Sequence, residues 1–290
     1  MRRLLISACF LFAAIGQAQP ARVPAQYKRL LLPVHASTAS WSVQWWFRNE
    51  GAVTVDAFPL AVQCGLTPPY PAAIVLPKPS LPAHITVNCP ADDIQPSYGN
   101  SPYIPVISSA PGAFLYVERS AERVTIGGEV SRSRSSSAAA LQAIPEEDFI
   151  AGTRSIMPVI VHPRRRYAIR IYALPESIAQ SPRVRIRVWD MQPLSHDFPS
   201  EELAGTFDRE LRVPVSSVRP CVNDCDIPDL PYVPAVAEVF DVVPPFQPKP
   251  FARVAARIEV IPESPSLRWW AVVSSTDNET HEITLYQPDR

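Results

Sequence analysis

The sequence predicts an all-β protein: two antiparallel β-sandwich domains of immunoglobulin-like layout, with little helix. Three observations lead there. Apolar and polar residues alternate with period two over many short runs, the pattern of half-buried strands. Proline is abundant, at 34 residues against 9 glycines, which inverts average usage. Proline fixes φ and has no N–H to donate, so only short elements fit between so many of them. Finally, 47% of the 290 residues are apolar, enough to fill one large core or two small ones at roughly 100 to 200 residues per domain.

The elements follow in chain order. Met1-Arg2-Arg3 is basic, the run 4–15 is apolar apart from Ser7, and Gly16-Gln17-Ala18 supplies small residues. That is the three-part pattern of a secretory signal peptide over 1–18, with cleavage near Ala18. The run is shorter than the roughly 20 apolar residues a membrane-spanning helix needs. The expected address is therefore secreted or periplasmic, with no transmembrane segment in the mature chain. Strands are predicted at 28–34, 41–48, 52–60, 72–76, 83–88, 113–118 and 124–131. Ser137 would cap a short helix running to Ile144, stopped by Pro145. Another strand is expected at 156–161.

A domain boundary is placed near Pro163, giving a first sandwich over 19–162 and a second over 163–290. The second series reads as strands at 167–174, 183–189, 211–215, 235–243, 252–261, 267–275 and 281–287, with a helical turn within 198–206. Seven strands at this spacing complete a small sandwich. Two Trp-Trp strands, at Trp45-Trp46 and Trp269-Trp270, each precede an Asn/Glu-containing turn and a return strand. They read as two hairpins of one layout, through duplication or convergence.

Five cysteines occur, and Cys9 lies within the signal. The even remainder suits an oxidising compartment. Proximity pairs Cys64 with Cys89 and Cys221 with Cys225. A bridge closing the 64–89 loop stabilises by roughly 3 kcal/mol in the chain-entropy account. Without Arg2 and Arg3 the chain carries 25 basic against 28 acidic residues. That balance gives no case for nucleic acid as a partner, which ordinarily selects a basic domain.

The succession from Arg29 through Leu30, Leu31, Leu32 and Pro33 to Val34, then Trp45 to Asn49, then Gly112 to Val117, the strand 183–190 and the hairpin 269–280 resembles a set of uncharacterised exported bacterial proteins with one or two sandwich-like β domains. The resemblance spans most of the mature chain, but its motifs are structural hairpin patterns. It implies a fold and an address, and no activity.

Motifs that carry chemistry are sparse. There is no G-x-S-x-G, S-x-x-K or H-E-x-x-H, and the five histidines never cluster in sequence. Asp224, Asp226 and Asp229 form an acidic loop around Cys225, and oxygen ligands so spaced suit calcium. The loop lacks the glycine and distal glutamate of a calcium-binding hand, and Asp and Pro are ordinary turn residues, so a turn is the preferred reading. On 183–189, Arg183, Arg185, Arg187 and Trp189 share one strand face. On 167–172, Arg170 faces away from Tyr167, Ile169 and Ile171, as does Arg166 just upstream. Were these strands paired, their arginines would form one anion-binding face, because the guanidinium fork matches carboxylate, sulfate or phosphate. The plainer alternative is a solvated sheet face whose arginines pair with neighbouring acids. Trp46 and Trp270 alternate away from the main apolar sets and are candidates for stacking on a sugar ring. No cofactor is implied and no catalytic residue is assigned. The expected role is an exported, non-enzymatic protein for structure, adhesion or ligand binding, with a polysaccharide, a cell-surface polymer or another protein as partner. The alternative is an extracellular hydrolase whose site is assembled from distant loops.

Overall fold

A computed structural model describes residues 25–33, 41–49, 55–62, 70–76, 84–87, 103–105, 112–119, 124–132, 138–178, 182–191, 201–213, 234–243 and 254–288. Nineteen strands run through them, in chain order β1 (Tyr27–Pro33), β2 (Trp41–Asn49), β3 (Val55–Val62), β4 (Tyr70–Leu76), β5 (His84–Val87), β6 (Tyr103–Pro105), β7 (Gly112–Glu118), β8 (Val124–Arg132), β9 (Ala138–Gln142) and β10 (Ile144–Pro145). A 3-10 turn at Glu146–Asp148 leads to β11 (Ile150–Ala151), β12 (Arg154–Val161) and β13 (Arg165–Ala173), and a second at Pro175–Ser177 leads to β14 (Arg183–Met191). The rest are β15 (Glu201–Glu210), β16 (Ala235–Phe240), β17 (Val254–Pro262), β18 (Arg268–Asp277) and β19 (Ile283–Tyr286). Every pairing is antiparallel, and the protein is all-β as expected.

Four sheets form. The first half builds β10-β1-β7-β3-β4-β5 and β6-β2-β8-β9; the second builds β11-β18-β13-β16, with β19 beside β18, and β12-β17-β14-β15. The sheet containing β13 contributes to two cores. Its strands alternate residues to two different cores. Ile169, Ile171, Ala237, Trp269, Ala271 and Val273 face the β14 sheet in one core. Tyr172, Val236, Trp270 and Val272 enter the other core, beside Leu30, Leu31, Phe114 and Leu115 of the first half. The halves thus share a sheet with both faces buried over part of its length. Each Leu or Phe buried there contributes about 1.5–3 kcal/mol.

A buried ion cluster reinforces the junction. Arg29 on β1 is 2% exposed. It pairs with Glu146 at 3.1 Å and with Glu176, and its guanidinium stacks 4.9 Å from the centre of the Phe114 ring. Burial opposes the Arg29 charge, but Tyr116, Glu176 and Glu146 overcome that and hold its pKa above the ordinary value. Burial in turn pushes the Tyr116 hydroxyl well above its usual range. Arg268 on β18 reaches Glu146 from the other side at 3.4 Å.

Several expectations are corrected. The run 138–142 is a strand, not a helix: pairing with β8 outweighs the helix propensity of its alanines. Residues 201–210 likewise form β15 rather than a helical turn. β2 and β3 make no hairpin; they lie in different sheets, so the likeness to the true β18–β19 hairpin is one of sequence only. β11 and β12 pair with β18 and β17, so pairing passes to the second half at the Glu146–Asp148 turn, before the boundary placed at 162/163. His162-Pro163 is the turn between β12 and β13, not a linker; the N–H of Arg165 closes it by donating to the His162 carbonyl at 2.9 Å. Among the described residues, no helix is long and apolar enough to cross a membrane.

Candidate functional site

Among the described residues the shared sheet is covered along only part of its length, and the remaining part is the site. On its face toward the first half, residues lie in cross-strand rows. The buried end is the row Val236, Tyr172, Trp270. Tyr172 and Trp270 pack with ring centroids 5.9 Å apart, tilted by 33°. The next row runs Glu238, Arg170, Val272, and Arg170 Nε donates to Glu238 Oε1 at 2.5 Å. Then come Phe240, Ala168, Ser274 and Leu285, and at the open end Arg166, Thr276 and Ile283. Val130 of β8 is the wall supplied by the first half.

Between that wall and the sheet lies a cleft of about 420 Å³, within the range usual for small-molecule sites. Its shape follows from residue size. Ala168 and Ser274 are the small residues of their row, and the larger Phe240 and Leu285 rise on either side of them. Phe240 is 65% exposed, although it is among the larger apolar side chains. The chain turns just after it, with Asp241 in the left-handed region at φ 51°, and Asp241 lines the cleft beside Phe240. Tyr167, between Arg166 and Ala168, borders the cleft from the opposite face of β13, and its hydroxyl is engaged: it donates to the Ile160 carbonyl at 2.9 Å and accepts the His162 N–H at 2.7 Å. Burial raises its pKa.

The sequence candidates divide between two surfaces. β13 pairs with β16 and β18, whereas β14 pairs with β15 and β17, so the arginines of the two strands never form one face. Arg166 and Arg170 line the cleft. Arg183, Arg185, Arg187 and Trp189 lie on the outer face of the other sheet, where the three arginines stand opposite Glu210, Asp208 and Glu259. Arg185 binds Asp208 through two nitrogens, at 2.7 and 3.4 Å. That hydrogen bond holds the Asp208 carboxyl below its ordinary range. Arg187 sits 3.8 Å from Glu259. Arg257, unremarked in the sequence, grips both oxygens of Glu201 at 2.9 and 2.6 Å and covers the Trp189 ring at 5.1 Å. Those contacts draw down the Glu201 pKa, led by the Arg257 hydrogen bond. This outer face therefore matches the plainer reading for Arg185 and Arg187, arginines neutralised by cross-strand acids. Arg166, like Arg183 and unlike Arg185 and Arg187, is exposed and forms no ion pair among the described residues, and unlike Arg183 it lines a cleft.

Trp270 is corrected as a stacking residue. It is 5% exposed and lies in the core between the two halves, because the face it occupies is the one the first half covers. Cys64, Cys89, Cys221, Cys225, Asp224, Asp226 and Asp229 lie outside the described residues, as does the side chain of Trp46. Among the described residues, no group of three or more His, Cys, Asp or Glu is placed to hold a metal ion.

Sequence reading missed Phe240, Asp241, Ser274 and Thr276. A signal existed for the first: on β16, Phe240 alternates with Val239 and Ala237, so it had to lie opposite the apolar set of its strand. No family model, no curated protein and no solved structure matches this chain.

Proposed function

We propose that this is an exported, non-enzymatic β-sandwich protein that acts by binding a ligand at or outside the cell envelope, and that the cleft beside β13 is where it binds. One observation carries the reading: a cavity of about 420 Å³ at the junction of two sandwiches, holding an exposed arginine without an ion-pair partner among the described residues and an exposed phenylalanine. Cavities at such junctions are preferred ligand sites, and a few convergent polar groups in an apolar setting give them orientation and specificity. The arginines of the outer face support the same choice by contrast. The charge of Arg185, Arg187 and Arg257 is already matched by Asp208, Glu259 and Glu201, so an anion arriving at those three would have to displace a carboxylate that is in place.

The test is an array of charged and neutral glycans and envelope polymers, probed with the purified protein, with Ala168→Phe, and with Arg183, Arg185 and Arg187 all changed to Ser. Retention of a probe by the parent and by the triple variant, with loss in Ala168→Phe, supports the cleft. Loss in the triple variant alone moves the site to the outer face. Turnover of ester, glycoside or peptide substrates by the purified protein would overturn the non-enzymatic reading in favour of a hydrolase.

A further inference from the structure

We infer that the ligand of the cleft is an acidic sugar, a ring carrying one carboxylate, with the uronic acid residues of a polysaccharide as the chemical class. This rests on the cleft being the binding site and names what fits it.

Charge comes first. Arg170 is bound to Glu238 at 2.5 Å, so that pair adds little field at the ligand. What remains among the described residues is one guanidinium, Arg166, and one carboxylate, Asp241, both lining the cavity. A ligand with one negative charge can satisfy Arg166, whose planar fork accepts a carboxylate through two parallel hydrogen bonds. A dianion such as a phosphomonoester would set its second charge against Asp241. A neutral apolar ligand would leave both charges unpaired in the cleft.

Shape comes second. Arg166 and Ala168 are two residues apart on one strand face, about 7 Å, and Ala168 faces Phe240 across the pair at about 5 Å. A guanidinium, a small flat floor and an exposed aromatic ring are thus laid out diagonally. A pyranose ring with its carboxylate has the same plan: an apolar C–H face for Phe240 and an acid group at one corner for Arg166. Hydroxyls come third. A sugar presents several O–H donors, and Asp241 with the hydroxyls of Ser274 and Thr276 supplies acceptors around the floor. A carboxylate that repels a second anion is useful toward a polyol, so the same residue both excludes the phosphomonoester and receives the sugar.

The experiment is calorimetric titration of the purified protein with trigalacturonate and with the neutral galactose trimer of the same linkage. Trigalacturonate is expected to bind at least ~10-fold more tightly than the neutral trimer, and to weaken as salt rises. Arg166→Gln is expected to cost ~10- to 100-fold and Phe240→Ala roughly 10-fold, while Arg185→Gln changes nothing. Both key residues are exposed, so their variants keep the fold, which far-ultraviolet circular dichroism verifies. Equal binding of the two trimers, or trigalacturonate binding indifferent to Arg166→Gln, overturns the acidic-sugar assignment. Absence of trigalacturonate binding, with another probe of the array held by the parent and released by Ala168→Phe, also overturns it but leaves the cleft as the site. If every bound probe ignores Ala168→Phe, the cleft itself is the wrong site and both readings fall.

Discussion

Tyr172 stands where any side chain at Gly112 would have to go. A Cβ at Gly112 would lie 2.7 Å from Tyr172 Cε1 and 3.4 Å from the Leu32 carbonyl oxygen. Gly112 opens β7 in the first half and Tyr172 belongs to β13 in the second, so this glycine sets how closely the halves approach. Tyr172 has little room to yield, since it is fully buried and packed on Trp270. Gly112→Ala is expected to lower stability by about 1–3 kcal/mol. Adding Tyr172→Leu should recover part of that loss, a coupling that a double-mutant cycle in urea would read. Strictly additive losses would show that the two residues do not collide.

Arg29 tests the ion cluster of the junction. Removing one partner of a buried pair leaves uncompensated charge, at a cost of about 3–5 kcal/mol. Arg29→Met should therefore destabilise on that scale, because Glu176 keeps no other ion-pair partner among the described residues. Arg29→Met with Glu176→Leu removes both charges and should be less harmful than the single change. A double variant worse than Arg29→Met alone in denaturant melts would sink this account.

Two arginines of the outer face should behave differently. The Arg185–Asp208 pair is exposed on both sides, and such pairs contribute little, so Arg185→Ala should leave the thermal midpoint within measurement scatter. Arg257 is largely buried at its side chain, binds Glu201 through two nitrogens and covers Trp189. Arg257→Ala should cost about 1–2 kcal/mol through lost packing and stacking together. Equal effects of the two substitutions would contradict the geometry.

Asp277 supplies a pH signature. Its Oδ1 accepts the N–H of Glu279 at 2.8 Å and of Thr280 at 2.9 Å, closing the β18–β19 turn. The bond from Thr280, then that from Glu279, holds its pKa below the ordinary carboxylate value. Because the folded value is the lower one, the carboxylate stabilises the fold above its unfolded pKa of about 3.9, and that contribution is lost as pH falls through the folded value. Thermal midpoints of the parent and of Asp277→Asn should differ most near neutrality and converge toward pH 2. A gap that widens on acidification would refute the assignment.

Period and composition carried the strand inventory. Leu30-Leu31-Leu32, Ile169/Ile171 and Val184/Ile186/Val188 are buried as their patterns imply. That much is local, because side-chain alternation is a property of one strand. Pairing is not local. The alanines of 138–142 favour a helix in isolation and become β9 only because β8 offers its edge. The arginines of β13 and β14 look like one basic ladder in sequence, yet the topology sends their strands to different sheets.

Arg166 shows the division most clearly. By itself the sequence determined that Arg166 sits on a polar strand face, opposite Tyr167 and Ile169, in an all-β chain. Only the tertiary structure decided that this face is partly roofed by β8, that Trp270 on the same face is sealed inside while Phe240 remains open, and that Asp241 turns in beside it. The physical reason is one of range. A strand's pattern says which side of a sheet a residue occupies, whereas what covers that side is set by contacts between segments far apart in the sequence, as Val130, Arg166, Phe240 and Leu285 are around the cleft.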